Sequence, residues 1–72
     1  MTFYFSETTN INSFREATPL KATNLTAAKR EASRKQAFCG TVLTIGDAVN
    51  EDGFILPEHV LAVREGGKWE NY

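Results

Sequence analysis

Seventy-two residues with 42% hydrophobic content, one Trp, two Tyr and five Phe make one folding domain over 1–72, excluding a second domain and intrinsic disorder. Eight Lys and Arg against nine Asp and Glu leave a net charge of −1, which excludes a generally basic nucleic-acid binder. Nine scattered acids are also too few to imitate duplex phosphates at one charge per ~1.7 Å.

Phe3, Tyr4 and Phe5, within Thr2 to Ser6, suit a pleated surface and predict a first strand. Asn10-Ile11-Asn12-Ser13 reads as a turn. Phe14 to Thr23 is ambiguous: Pro19 has no amide hydrogen for a ladder, so a strand here is an edge or is broken at that position. Lys21 to Thr23 is expected to be extended.

Asn24 can cap a helix with its side-chain oxygen, and Leu25 to Ala37 contains neither Gly nor Pro, so one main helix is expected over residues 25–37. Leu25, Ala28 and Ala32 fall within about 60° of one another at ~100° per residue, a narrow stripe of mostly small residues that lets the helix sit close to a sheet. Arg30 and Arg34, one turn apart, point away from the stripe, with Ser33 and Ala37 between and beside them. Lys29 and Gln36 flank the stripe on one side. Lys35 lies on the other, one turn after Glu31, where a local ion pair is expected.

Gly40 is expected to end the helix in a left-handed conformation, and Thr41 to Ile45 reads as a strand with Val42 and either Leu43 or Ile45 turned inward. Gly46 to Gly53 is a polar loop, Phe54 to Leu56 is a short apolar stretch stopped by Pro57, and Val60 to Arg64 resumes strand character. Glu65-Gly66-Gly67-Lys68 is a hairpin turn that returns Trp69 along the preceding strand. The sequence of elements predicts an α+β fold: an antiparallel sheet of four to five strands with the helix packed on one face.

No apolar run of ~18 residues could span a bilayer, MTFYFSETT has no secretory-signal pattern, and Cys39 has no disulfide or CxxC partner, so a cytosolic setting without membrane contact is expected. With one His and one Cys twenty positions apart, no catalytic residues, metal or cofactor are expected, and the chain reads as a non-enzyme. His59 reads as a solvated surface residue, Cys39 as a small packing residue and Trp69 as core. Asp47, Glu51 and Asp52 lack the spacing of a calcium loop.

What remains is charge. Lys29, Arg30, Arg34 and Lys35 place four of the eight bases within seven positions, opposed locally only by Glu31, while the rest of the chain carries eight acids against four bases. The bland reading is a solvated face. The functional reading is a docking surface for an anionic partner, where Lys and Arg neutralise phosphates and release counterions in a salt-sensitive, sequence-independent way.

The same residues carry a family likeness. Asn10-Ile11-Asn12-Ser13, Arg15-Glu16, Leu25, Ala28-Lys29-Arg30, Ala32-Ser33, Gln36, Phe38 and Gly40-Thr41-Val42 closely resemble the ninth family of type I-F anti-CRISPR proteins, without a gap over residues 10–45. The likeness continues more loosely at Leu61-Ala62, Gly67-Lys68 and Trp69. It implies a small phage-encoded inhibitor of the RNA-guided surveillance complex, a sheet with a helix across it, monomeric on its own and acting in the cytoplasm of the infected bacterial host. It further implies docking on the backbone subunits that hold the guide RNA, steric obstruction of the groove where target DNA pairs, and non-specific retention of double-stranded DNA by the inhibited complex.

By this resemblance Lys29, Arg30 and Arg34 contact DNA, Gln36 and Ser33 face the protein partner, and Lys35 is the weakest candidate among the bases. The chain departs from the family in a longer loop over residues 46–59 with four acids, at Lys35 and Cys39, and in its first nine residues. The alternative is a prophage DNA-binding or regulatory module that uses the basic helix directly.

Overall fold

The computed structural model describes residues 2–8, 16–37 and 40–72; the turn read at residues 10–13, together with Phe14, Arg15, Phe38 and Cys39, lies outside them. In chain order the described elements are β1 (Tyr4–Thr8), β2 (Thr18–Pro19), α1 (Leu25–Lys35), β3 (Val42–Gly46), a 3-10 turn (Pro57–His59), β4 (Val60–Glu65) and β5 (Lys68–Asn71). The strands form one antiparallel sheet ordered β2-β1-β3-β4-β5. This is the expected α+β architecture.

Strand register explains which side the helix covers. Glu7, Leu43, Arg64 and Trp69 are cross-strand neighbours in one row, and Phe5, Ile45, Ala62 and Asn71 in the next. Side chains two residues apart share a face, so both rows lie on the same side. There Phe3, Phe5, Leu43 and Ile45 meet Ala28 and Ala32 of α1, with Leu20 closing the core and Leu25 and Trp69 packed against it. Neither Ala28 nor Ala32 exposes any surface, so the helix stripe works as the sequence implies.

Several local expectations change. The first strand begins at Tyr4 and runs to Thr8, with Phe3 and Phe5 in the core. Leu43 and Ile45 both face the helix, and Val42 is buried as expected, although one position out of phase it lies on the other side of the sheet. Pro19 does occupy an edge strand, but Lys21 to Thr23 forms none, because the Lys21 and Ala22 amides donate to the Glu31 carboxylate instead of to a neighbouring strand.

Asn24 caps α1 as expected, its Oδ1 accepting from the Ala27 amide at 2.8 Å. The helix then stops at Lys35, not Ala37. The Ala37 amide donates to Glu7 Oε1 at 2.9 Å, and Gln36 is already extended at φ −59° and ψ 120°. Gly40, at φ +76°, therefore belongs to the entry into β3 and does not terminate the helix.

The segment after β3 is a built hairpin. Val49 bridges Ile55, and Asn50 Oδ1 accepts from the Asp52 and Phe54 amides at 2.9 and 3.0 Å. It folds tightly over Gly46, where an added Cβ would lie 2.3 Å from Ile55 Cγ2 and 2.9 Å from the His59 carbonyl oxygen. His59 is at the surface, as expected, and its Nδ1 lies 2.8 Å from Asp47 Oδ1, which tethers it to the loop. At the other hairpin, Gly66 and Gly67 take φ of +64° and +82°, the conformation a two-residue turn between β4 and β5 requires. No helix among the described residues is long and apolar enough to cross a membrane.

Candidate functional site

The phase set by Asn24 puts Lys29, Arg30 and Arg34 of α1 along the border between the helix and the far edge of the sheet. Lys29, Arg30, Ser33 and Arg34 line an open cleft of about 470 Å³ together with Thr26 and Trp69 of β5. Arg30 and Arg34 are exposed and Lys29 is half-buried, its Nζ donating to Asn71 Oδ1 on β5. The structure thus brings Lys29, Arg30 and Arg34 together on one cleft, with no acid among its lining residues. Such a surface attracts phosphates through charge, and Arg adds planar donors.

Trp69 is half-buried and serves two purposes: it packs on the core and forms a wall of this cleft.

Ser33 and Gln36, the residues expected to face a protein, are joined by Arg64, a residue that no sequence motif singles out. Arg64 Nη1 lies 3.4 Å from Ser33 Oγ and 3.3 Å from Gln36 Oε1. Gln36 Nε2 donates to Thr41 Oγ1 at 3.1 Å, and that hydroxyl donates to Glu7 Oε2 at 2.6 Å. The chain of donors runs from a cation on β4 to a buried carboxylate on β1, and it orients the Gln36 amide: oxygen toward Arg64, nitrogen toward Thr41. Gln36, Gly40, Thr41, Arg64, Gly66 and Gly67 line a second hollow of about 340 Å³.

Arg64 was legible in principle. In a two-residue hairpin Arg64 pairs with Trp69, so a core Trp69 places Arg64 on the helix side. Lys35, by contrast, behaves as expected, with its Nζ 3.4 Å from Glu31 Oε2.

Glu31 does more than pair with Lys35. Its oxygens accept from the Lys21 amide at 3.0 and 3.1 Å and from the Ala22 amide at 3.0 Å, tying the approach segment to the helix. Donation from the Lys21 amide is the largest influence holding the carboxyl below its ordinary range; burial opposes it, and Lys35 and the Ala22 amide act in the same direction as Lys21. No buried side-chain nitrogen or oxygen among the described residues lacks a partner.

No protein-family model matches the chain, and no curated protein sequence matches it. Among solved structures, it is similar to AcrIF9 with a TM-score of 0.75 and 40% sequence identity, over 100% of this chain and 86% of that one. Identity at this level over nearly the whole of both chains, on a matching fold, extends the likeness seen in residues 10–45 to the entire molecule. The chain belongs to the AcrIF9 family of type I-F anti-CRISPR proteins, inhibitors encoded by phage.

Proposed function

We propose that this inhibitor binds the backbone subunits of a type I-F CRISPR surveillance complex, in the cytoplasm of the infected host, and sterically blocks hybridisation of target DNA to the guide RNA. Ser33 and Gln36 face the protein partner. Lys29, Arg30 and Arg34 face DNA and let the inhibited complex hold duplex non-specifically. Family membership supports the inhibition, and one observation supports the division of labour: α1 carries a cationic cleft, and Gln36, the residue just past its end, carries an internally braced amide.

Occlusion needs no chemistry. Exchange of a DNA duplex for a guide–target hybrid is nearly balanced in free energy, so excluding the target from the first pairing positions is enough to stop the exchange. A braced Gln36 suits this role because its amide reaches the partner already oriented, losing little rotamer freedom on docking.

The test is binding of the purified chain to a type I-F complex, followed by a measurement of specific target capture. Association with loss of capture is expected; absence of association at micromolar protein would reject the reading. Arg64→Ala should weaken association by releasing Gln36 and Ser33, with an unchanged melting temperature on the free chain excluding misfolding as the cause.

A further inference from the structure

The cleft on α1 contains a feature that attraction to duplex phosphates does not require. Its rim is cationic, with Lys29, Arg30 and Arg34, none of which forms an ion pair among the described residues. One wall is the indole of Trp69. A duplex keeps its base faces stacked inside and presents phosphates and groove edges, so it offers an indole nothing to stack on. An unpaired base does present a π face, with a phosphate on either side of it. At about 470 Å³ the cleft lies within the range of roughly 300–1,000 Å³ in which small ligands bind, which leaves room for a base.

The walls are also held in place. Lys29 is tethered to Asn71, and Ser33 is bonded to Arg64, which pairs across the sheet with Trp69. The spacing between ring and cations is therefore set by β4 and β5 as well as by the helix.

We propose that this cleft is a binding site for single-stranded nucleic acid, taking one unpaired base against Trp69 and the adjoining phosphates on Lys29, Arg30 and Arg34. The proposal rests on the DNA-facing role given to those three residues and narrows it: duplex is held by charge alone, a single strand by charge and stacking.

Trp69 is the only tryptophan in the chain, so its fluorescence reports on the site directly. Titrating the full chain with a short oligothymidylate at low salt should quench that emission, and a labelled single strand should bind on the order of ten-fold more tightly than a duplex of equal length. With up to three phosphates neutralised, the logarithm of affinity should fall with the logarithm of salt at a slope of about −2. Trp69→Phe should keep most of the preference for single strand and Trp69→Leu should abolish it. If Trp69→Leu does not fold, the wild-type titration and Trp69→Phe decide. Absence of quenching, equal affinity for both nucleic acids, or unchanged preference in a folded Trp69→Leu chain would overturn the site. A chain that inhibits the complex yet fails these measurements would remove the single-strand site and leave the occlusion reading standing.

Discussion

On the inward side of α1, Glu31 is a charged group with three amide contacts and a lysine beside it, while Ala28 and Ala32 are closed to solvent. On the outward side, Arg30 and Arg34 are exposed and form no ion pair among the described residues. The two sides share one helix of eleven residues, and they differ mainly in how their charges are partnered. A partnered charge inside adds to the specificity of the fold. An unpartnered one outside adds little to stability and stays available to a ligand. Stability and binding are thereby separable by substitution.

The largest effect should come from the floor on which the inward side rests. Ile45 is fully buried beneath α1, so Ile45→Ala leaves a cavity and should cost about 2–5 kcal/mol, read from urea or thermal unfolding. In a chain of this size that is a large part of the total stability. A loss well under ~1 kcal/mol would mean that the helix and sheet are not closely packed. Next is Glu7→Ala, which deprives the Ala37 amide and the Thr41 hydroxyl of their acceptor at the exit from the helix. Loss of these two bonds should cost about 1–3 kcal/mol. Because Thr41 positions Gln36, association with the complex should fall as well.

Glu31 supplies a smaller, pH-dependent contribution whose sign follows from its lowered pKa. The folded carboxyl gives up its proton more readily than the unfolded one, so the contribution is fully present above the unfolded value and is lost as pH falls through the folded value. Urea midpoints measured from neutral pH into the acid range should therefore decline, and Glu31→Gln should flatten part of that decline. An unchanged slope in the variant would show that the Lys21 and Ala22 contacts do not discriminate between charged and neutral forms.

The contrast between the two sides is only half legible in the sequence. Periodicity at Leu25, Ala28 and Ala32 places the inward stripe, and the turn residues at 65–68 place the last hairpin, because both are local signals. The exit from the helix is not legible, since Ala37 is released by a carboxylate thirty positions earlier. That Lys21 to Thr23 joins no strand is equally hidden, since the Lys21 and Ala22 amides are claimed by Glu31 from a later turn of the helix. The cations of the candidate site are visible as a cluster, and the last hairpin alone pairs Arg64 with Trp69. The meeting of Arg64 with Ser33 and Gln36, 31 and 28 residues away, is not visible, because it depends on how the helix lies across the sheet.

The smallest effect on stability is expected where the effect on binding is greatest, and this bears most directly on the comparison. Arg30→Gln with Arg34→Gln removes two exposed charges that no described residue partners, so unfolding free energy should change by no more than about 0.5 kcal/mol. Duplex retention by the inhibited complex should nevertheless drop, and its salt dependence should flatten by roughly 0.9 in log–log slope for each phosphate that is no longer neutralised. Lys35→Gln is the internal control, because Lys35 already faces Glu31; it should lower stability slightly and leave retention as it was. If the double variant instead destabilised the chain as much as Lys35→Gln does, Arg30 and Arg34 would have partners in the fold, and the division between inward and outward charge would fail.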